Sequence, residues 1–479
     1  MLFNSFEYLL FLPIVFLVYW FLCPSGRSKN IFLIAASYLF YGWWNMKLLA
    51  LIFLVTLVAY GAGAFIDSSR ATPRMRKAAL WTTLLANIGV LVAFKYYDFF
   101  ASSFVRVLEV VGFSPDIPTL NLILPVGISF YTFQAMSYTI DVYRRKIRAT
   151  RDPAAFFVFI AFFPQLVAGP IERASNILPQ FTRDRRRFSY RRGTGGMQLI
   201  LWGLFKKMVV ADNAAVTVNV IFADWESVGT INLWMGALLF TFQIYGDFSG
   251  YSDIAVGTSR LFGIDLMKNF NLPYFSRDIA EFWRKWHISL TAWFRDYLYI
   301  PLGGNRKGKL RTVGNTAVVF LVSGLWHGAN FTYIVWGAYH ALLFIPLVVA
   351  GKSKRHLETS TRRGLPPFSE SLMMGVTFLL VMVGWVIFRA ETVTQAFSYI
   401  AAMFSHFTPI PYLMGRQPVI WILLLVVIEW TTRFRQNPLA SAPSGLWSRP
   451  VVRWTGCLLL FIATLVFAGD PQEFIYFKF

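Results

Sequence analysis

Long apolar runs separated by short polar stretches extend over almost the whole chain of 479 residues. A helix needs about 20 consecutive, mostly apolar residues to cross the hydrocarbon core of a bilayer. Several runs approach that length, and their repetition predicts a polytopic membrane protein of the all-α class. The candidate segments are residues 8–22, 31–44, 48–65, 78–94, 120–140, 197–222, 233–256, 313–326, 331–349, 372–388, 419–428 and 456–467.

The composition supports a membrane protein. Apolar residues make up 56% of the chain and charged residues only 14%, against about 25% charged residues in an ordinary soluble domain. The mean hydropathy of +0.52 excludes a disordered chain and argues against a soluble globular protein. The two cysteines, Cys23 and Cys457, form no CxxC pair and no zinc spacing, so we expect neither a disulfide framework nor a metal site.

The excess of basic residues indicates the topology. The chain has 45 Lys and Arg against 24 Asp and Glu, a balance that in a soluble protein suggests nucleic acid. Here 36 basic residues fall in alternate polar stretches, and only six fall in the intervening stretches and the termini. Because basic loops stay in the cytoplasm, this asymmetry predicts both termini on the outer side and no nucleic-acid partner. The basic stretches are residues 23–30, 67–77, 141–153, 172–192, 258–313, 351–363 and 433–450.

Residues 154–171 break the alternation, because this apolar segment has a basic stretch on each side. Pro164, Gly169 and Pro170 interrupt any helix here. Non-helical backbone is tolerated at membrane depth only where it is buried in protein or lines a cavity. We therefore expect a re-entrant element at the wall of an internal cavity.

Residues 280–299 predict an amphipathic helix inside the longest cytoplasmic stretch. Basic residues between its aromatic positions suit a helix that lies in the lipid headgroup region. The apolar face consists of Phe282, Trp286, Ser289, Trp293 and Tyr297. His287 belongs to this helix, and the residues around it leave an interfacial and a functional role equally open.

His327 lies between two apolar segments that both adjoin basic stretches, so the pattern predicts a hairpin with this histidine at its turn. The first segment, residues 313–326, spans only about 21 Å at helical rise, less than the hydrocarbon core of about 30 Å. The turn is therefore expected inside the membrane, with Gly328 loosening the backbone and Asn330 offering a hydrogen bond. An ionisable side chain at that depth favours function over packing. Histidine suits proton transfer, because its ordinary pKa of about 6.5 is near the working pH.

Three other polar residues in the apolar runs indicate a function less specifically than His327 does. His340 lies within a run where a hydrogen bond to a neighbouring helix explains it as well as a function does. Asp247 and Asp253 lie in another run and share no face of a regular helix, unless the neighbouring glycines distort it. They can orient a catalytic group, relay protons or pair with buried partners.

The loop at residues 302–309 combines three glycines with Arg306 and Lys307. Its backbone N–H groups and positive charge can hold phosphate groups, although an ordinary cytoplasmic turn has the same composition. The six arginines among residues 183–192 favour topology and contact with membrane lipids. The sequence contains no GxSxG, HxxxxD, Walker or HExxH motif, so a serine elbow, ATP hydrolysis and zinc chemistry have no support.

Several ordered motifs together resemble the membrane-bound O-acyltransferase (MBOAT) family, and within it the bacterial branch that O-acetylates exported polysaccharides. The resemblance extends from residue 2 to about residue 390, and the ending FIYFKF is also typical of that branch. The most distinctive motifs are LPVGISFYTFQAMSYTIDVYR, FPQLVAGPIER, EFWRKWHISLTAWFRDYLYIPLGGNRKG and GLWHGANFTYIVWGAYH. The resemblance implies a single transmembrane acyltransferase domain over residues 1–479, with about 11 to 12 helices, re-entrant elements and a central tunnel or funnel. Residues 391–479 would form the C-terminal helices and a periplasmic tail.

The resemblance also implies the chemistry. The near-invariant histidine of the family falls on His327 in WHG, and its second polar position falls on His287 in RKWHIS. In this branch, acetyl from cytosolic acetyl-CoA is passed outward across the bacterial inner membrane. A periplasmic SGNH-type partner then completes the transfer to a glycan such as alginate, cellulose or peptidoglycan. Acetyl-CoA is the donor substrate, and no permanently bound cofactor is expected.

Acyl transfer from a thioester needs a base for the incoming hydroxyl and stabilisation of the oxyanion that forms. We expect His327 to be that base, and His287 to position the thioester or protonate the leaving thiol. Supporting roles are expected for Asn330, Asp247, Asp253 and Asp296. Binding of the anionic CoA nucleotide is expected at Arg295, Arg306 and Lys307.

Two other classes of function remain open. A transporter or flippase that moves an acyl or lipid-linked compound without making bonds also has buried carboxylates and broken helices. An assembly platform for a glycan-export complex would have no chemistry of its own. Consumption of the thioester by the purified protein with its partner separates the enzyme from both.

The topology can be tested by labelling single cysteines in intact cells, with Cys23 and Cys457 replaced by serine. A cysteine at Ser360, in the basic stretch 351–363, should react with a membrane-impermeant maleimide only after the cells are opened. A cysteine at Lys47, in a predicted outer stretch, should react at once and serves as the control. Labelling of position 360 from outside would overturn the predicted orientation.

Overall fold

The computed structural model describes residues 1–167, 169–182, 187–356, 364–407, 415–435, 437–441 and 446–475. Every regular element in these ranges is a helix, so the predicted all-α class is confirmed. The helices form two compact units, one of Met1–Gly196 with Thr258–Met267 and one of Met197–Gly257 with Lys268–Phe479. The single domain inferred for the whole chain stays a prediction. Residue 360, the arginines at 183, 185 and 186 and the last four residues of FIYFKF lie outside the described ranges.

Helices α1 to α9 belong to the first unit. π-Helical turns prolong two of them: Val18–Leu22 continues α1, and Val92–Tyr96 joins α4 to α5. The helices are α1 Phe6–Leu17, α2 Gly26–Gly42, α3 Leu49–Asp67, α4 Pro73–Leu91, α5 Tyr97–Val110, α6 Ile128–Tyr143, α7 Pro153–Ala161, α8 Phe163–Leu166 and α9 Ala174–Thr182.

One predicted helix of this unit starts later than its apolar run. The run begins at residue 120, whereas α6 begins at Ile128. Pro118 and Pro125 precede the helix, and proline lacks the N–H group that a helix interior needs. The pattern also missed α5, because this helix carries the charged residues Asp98 and Arg106 and does not form an apolar run.

The segment at residues 154–171 is broken, as its prolines and glycine predicted. It forms α7 and α8, which are separated at Phe162. At helical rise, the nine residues of α7 extend only about 14 Å, too short to cross the hydrocarbon core. Ser37 of α2 accepts a hydrogen bond from the Phe163 N–H group at 3.0 Å, so the break is satisfied inside the protein. Its place at the wall of a cavity stays a prediction.

Helices α10 to α20 complete the described chain. A π-helical segment, Phe205–Ala211, joins α10 to α11, and another, Arg295–Tyr299, follows α14. The helices are α10 Tyr190–Leu204, α11 Asp212–Ala223, α12 Thr230–Leu261, α13 Ile279–Lys285, α14 Ile288–Phe294, α15 Gly308–His327, α16 Phe331–Val349, α17 Phe368–Arg389, α18 Val393–Ser405, α19 Arg416–Thr431 and α20 Pro450–Val466. Short 3₁₀ turns occur at Met46–Leu48, Pro273–Phe275 and Leu446–Ser448.

Four helical stretches of the described chain are long and apolar enough to cross a membrane by themselves. They are Met46–Asp67, Pro73–Val110, Phe331–Val349 and Phe368–Arg389. Shorter apolar helices occur at Phe6–Leu22, Pro153–Leu166 and Pro450–Val466. These helices agree with a membrane protein. The number of about 11 to 12 transmembrane helices stays a prediction.

The predicted hairpin is confirmed as α15 and α16, but its first leg is longer than its apolar run. α15 starts at Gly308, and its 20 residues rise about 30 Å. The length of α15 therefore does not by itself place the turn inside the membrane, and the depth of the turn stays a prediction. Gly324 and Gly337 let the two legs approach closely, because a Cβ there would lie 2.2 Å from the Tyr333 carbonyl oxygen and 2.4 Å from that of Phe320.

Candidate active site

His327 is the last residue of α15 and lies at the turn of the hairpin. It is only 3% exposed, so its predicted burial is confirmed. The imidazole packs edge-to-face against three rings, at centroid distances of 5.0 Å to Trp326, 5.1 Å to Trp336 and 5.4 Å to Phe388. This aromatic lining shields the imidazole from bulk solvent.

The residues after His327 form the turn. Gly328 is extended and ends α15. Asn330 caps α16 by accepting a hydrogen bond from the Thr332 N–H group at 3.0 Å, and its amide donates to the Glu391 carbonyl at 2.8 Å. Asn330 is therefore a helix cap, and its expected role as the partner of His327 is not supported.

His287 does not lie on one continuous amphipathic helix, as the sequence pattern predicted. That helix is broken into α13, which ends at Lys285, and α14, which begins at Ile288. Trp286 is extended, and His287 has a left-handed backbone with φ of 43°, which non-glycine residues rarely adopt. His287 is 1% exposed. The interfacial interpretation of this segment is therefore wrong, because its aromatic face packs inside the protein and not in the headgroup region.

Asn269 holds His287 in position. Its side-chain oxygen lies 3.1 Å from Nδ1 of His287 and accepts hydrogen bonds from the Oγ and backbone N–H of Ser289 at 2.9 and 3.3 Å. The Asn269 carbonyl accepts from the Ile288 N–H group at 2.9 Å. Because a backbone N–H group can only donate, the contact with Ser289 identifies the Asn269 atom as oxygen, and Nδ1 of His287 must carry the proton. In the neutral ring, Nε2 is then the acceptor.

One indole side chain contacts both histidines. Trp326 packs edge-to-face against His327, with a centroid distance of 5.0 Å, and against His287 at 5.9 Å. The structure therefore brings together two histidines that are far apart in the sequence, and both belong to the second compact unit. Two imidazoles in one apolar environment can accept and return protons without help from bulk water.

His340 is a third buried histidine in this aromatic region. It is fully buried and packs edge-to-face against Trp336 and Trp283 at centroid distances of 4.9 and 5.0 Å. Trp336 also contacts His327. Within the described ranges neither ring nitrogen of His340 has a hydrogen-bond partner, so aromatic packing, and not a hydrogen bond to a neighbouring helix, holds this ring.

The two carboxylates of α12 pair with buried lysines. Asp247 Oδ1 lies 2.8 Å from Lys207 Nζ, and Asp253 Oδ2 lies 2.7 Å from Lys206 Nζ. Each aspartate thus meets its own lysine, although the two share no face of α12. Of the three roles considered for these carboxylates, pairing with buried partners is the one that the structure shows.

Lys206 and Lys207 were missed by the sequence reasoning. They lie in the π-helical segment Phe205–Ala211, inside a predicted apolar run. Two adjacent lysines there were a usable signal, because a charge within a membrane segment is rare unless it is paired or functional.

Gly246 and Gly250 of α12 form a GxxxG spacing that allows close approach of backbones. A Cβ at Gly246 would lie 2.8 Å from the Lys206 carbonyl oxygen, and one at Gly250 would lie 3.1 Å from the Lys207 nitrogen.

The basic residues expected to bind CoA are in two places. Arg295 Nε donates to the carboxylate of its neighbour Asp296 at 2.8 Å, so these two residues pair with each other. Arg306 and Lys307 are exposed in the turn before α15. Lys307 lines a groove of about 500 Å³ together with Arg311, whereas Arg306 is not among the groove residues.

Comparison with known proteins identifies the class of this protein. Residues 38–369 match the model of MBOAT, the membrane-bound O-acyltransferase family, and this range contains both His287 and His327. The chain therefore belongs to that family, and the protein is an acyltransferase. The resemblance inferred from the motifs is confirmed.

Two relatives are similar over nearly the whole chain, and a third is similar over part of it. A probable alginate O-acetylase of Pseudomonas putida is 40% identical, with 100% of both chains covered. A peptidoglycan O-acetyltransferase of Helicobacter pylori is 33% identical over 98% of this chain and 95% of its own. A teichoic acid D-alanyltransferase of Streptococcus thermophilus is 32% identical over 60% of this chain and 75% of its own.

Replacement of Asn269 tests whether its hydrogen bond orients His287. Asn269→Leu removes the acceptor of the Nδ1 proton at similar side-chain size, leaving a buried donor without its partner. We expect the acyl-transfer rate of isolated membranes to fall about 10- to 100-fold, the effect of a small misplacement of a reacting group. Asn271→Leu is the matched control, because Asn271 binds Lys268 in a more exposed position. A normal rate for Asn269→Leu at normal abundance would show that His287 does not need this bond.

Proposed function

We propose that the protein takes acetyl from cytosolic acetyl-CoA and passes it across the bacterial inner membrane for O-acetylation of an exported polysaccharide. A periplasmic partner of the SGNH type completes the transfer to the glycan. Support for the acetyl group comes from the relatives, since two that are similar over nearly the whole chain are named for O-acetylation of alginate and of peptidoglycan. Alginate and peptidoglycan are therefore the first acceptors to test, followed by cellulose.

The observation that carries the proposal is the contact of Trp326 with both His327 and His287. Transfer between a thioester and a hydroxyl needs a group that removes one proton and returns it, and two buried imidazoles at one indole can supply such a group. The hydrogen bond from His287 Nδ1 to Asn269 makes Nε2 the accepting nitrogen of the neutral ring.

The proposed reaction is balanced without a cofactor. The acceptor hydroxyl attacks the carbonyl carbon of the thioester while His327 takes up the hydroxyl proton. A tetrahedral oxyanion forms and then collapses, which breaks the C–S bond. The imidazolium returns the proton to the sulfur atom, so that the products are an acetyl ester and the free CoA thiol. His287 positions the hydroxyl or the thiol during these steps.

The CoA phosphates would bind at the basic turn before α15. Lys307 and Arg311 line one groove there, and Arg306 is exposed beside it. Gly303 and Gly304 have positive φ angles of 111° and 57°, a backbone that can direct N–H groups toward an anion. The cytoplasmic position of this turn, like the periplasmic position of both termini, rests on the distribution of basic residues.

Charge reversal tests this binding site. Arg306→Glu combined with Lys307→Glu should raise the KM for acetyl-CoA about tenfold and leave kcat nearly unchanged, because the nucleotide loses binding energy that is not specific to the transition state. Lys352→Glu with Lys354→Glu, in another basic loop, is the control for the general loss of positive charge. Equal KM values for the two double variants would mean that the turn is only a topological signal.

Substitution of His327 tests the catalytic proposal itself. His327→Ala and His327→Gln should both abolish acetylation of the exported glycan, because loss of one general base lowers a rate by about 10²- to 10⁴-fold. Glutamine keeps hydrogen-bonding capacity but cannot take up the proton. His287→Ala should be impaired less severely, since water can replace part of a positioning role. The measurement is the acetyl content of the secreted polymer, normalised to the amount of membrane-inserted protein.

The same experiment distinguishes an enzyme from a transporter and from an assembly platform. Normal acetylation by His327→Gln at wild-type abundance would contradict the general-base role and favour a transporter or an assembly platform. Exposed His406 provides the matched control, because His406→Gln makes the same chemical change outside the aromatic region and should leave acetylation unchanged.

A further inference from the structure

The end of the described chain, residues 469–475, is attached to α12 and to the π-helical segment Phe205–Ala211 by backbone hydrogen bonds. The Gly469 N–H group donates to the Met208 carbonyl at 2.9 Å. Nζ of Lys207 donates to the Gln472 carbonyl at 3.0 Å. The backbone N–H of Ile475 donates to Asp247 Oδ2 at 2.7 Å. Although this segment is not helical before Ile475, its backbone groups are therefore specifically bound.

Lys207, Asp212 and Asp247 form a buried cluster that we call the Lys207 triad. Nζ of Lys207 lies 2.8 Å from Asp212 Oδ1 and 2.8 Å from Asp247 Oδ1, and the three side chains are 1%, 2% and 4% exposed. An ammonium group has three N–H donors. One of them donates to the carbonyl of Gln472, and the ammonium group lies within ion-pair distance of both carboxylates.

The Lys207 triad depends on the segment for two of its hydrogen bonds. The Ile475 N–H group donates to Asp247, as backbone donors do to other buried carboxylates, and the Gln472 carbonyl accepts from Lys207. Release of residues 469–475 would remove both bonds, and buried polar groups without partners are costly. The triad and the bound segment therefore require each other.

The bound segment also reaches the surroundings of His287. Phe474 is fully buried, and its ring lies 4.5 Å from that of Tyr251 and 6.0 Å from that of Phe248. Phe248 in turn packs edge-to-face against His287 at a centroid distance of 4.7 Å. Phe474 is thus separated from His287 by a single aromatic ring, and Asp247, which binds the segment, is the neighbour of Phe248 in α12.

We propose that the Lys207 triad is a positioning device that clamps residues 469–475 so that Phe474 supports Phe248 and thereby fixes the ring of His287. This inference rests on the proposed function, in which His287 positions a reacting group. Asn269 holds His287 by accepting a hydrogen bond from its Nδ1, whereas the clamped segment restrains the imidazole ring through packing. Lys207 does not touch the reacting atoms, so its effect on the rate is indirect.

Lys206 offers a matched control on the same π-helical segment. It also pairs with an aspartate of α12 and donates to Ser249 Oγ at 2.9 Å. Its partner Asp253 is 28% exposed, and the bonds of Lys206 do not involve residues 469–475. Loss of a lysine charge near α12 is therefore common to Lys206→Met and Lys207→Met, whereas release of the segment is expected only for Lys207→Met.

The first measurement reports the segment directly and does not depend on activity. A cysteine replaces Ile475, whose side chain is buried and whose backbone bond to Asp247 is retained. In the full-length protein, Lys207→Met should accelerate labelling of this cysteine by a maleimide at least tenfold, and Lys206→Met should not. Unchanged labelling of Lys207→Met at normal abundance would overturn the clamp.

The second measurement reports positioning. With its partner present, Lys207→Met should lower kcat about 10- to 100-fold while the KM for acetyl-CoA stays within twofold, since a misplaced group slows the chemical step. Lys206→Met should keep most of kcat. Segment release without a fall in kcat would overturn the positioning role.

If Lys207→Met does not accumulate, Phe474→Ala provides the test, because it removes the ring contact and keeps every charge of the triad. It should lower kcat in the same way while the segment remains attached, and a normal kcat would overturn the proposal. Failure of the proposed function is distinguishable, since it would appear as activity of His327→Gln whatever the labelling rates are.

Discussion

Polar groups buried in a membrane protein must find their partners within the protein, because lipid offers none. At His287 this constraint is met by Asn269, whose side-chain oxygen binds the histidine and Ser289 together. The hydrogen bonds are possible only because the helix is interrupted between α13 and α14, where His287 has a left-handed backbone. A continuous helix would direct the successive side chains differently and would not bring both residues to one oxygen. The rest of the site is arranged around this break.

The second histidine reaches the same region by a different route. His327 ends α15, and the turn of the hairpin is shaped by close packing of the two legs at Gly324 and Gly337. Aromatic rings then connect the two parts of the site, with Trp326 in contact with both histidines. Since large rings have few rotamers and fill space, they fix the separation of the imidazoles better than flexible side chains would. The rigidity of the site therefore comes from packing as much as from hydrogen bonds.

The sequence predicted those features that depend on local pattern. Apolar runs and their flanking charges indicated the α15–α16 hairpin, and a histidine at its turn indicated a buried functional residue. The break at His287 could not be predicted, because an amphipathic helix and a buried broken one have the same spacing of aromatic residues. Its cause, the bonding to Asn269, lies outside the segment. The pairing of Asp247 with Lys207 depends on a contact between distant helices and was likewise not readable from either residue alone.

The two buried lysines of the π-helical segment add little to the stability of the protein. Their burial is better explained by the positions that they give to the residues bound to them. A buried ion pair gains little net free energy, because desolvation offsets most of the attraction, and apolar replacements of similar volume are often as stable. Lys206 keeps a partner that is partly exposed, so its pair tolerates solvent. Lys207 is buried with two carboxylates and two backbone groups of the C-terminal segment. An arrangement of that kind adds little to stability but defines one position for the chain that it binds, and that chain packs next to the aromatic surroundings of His287.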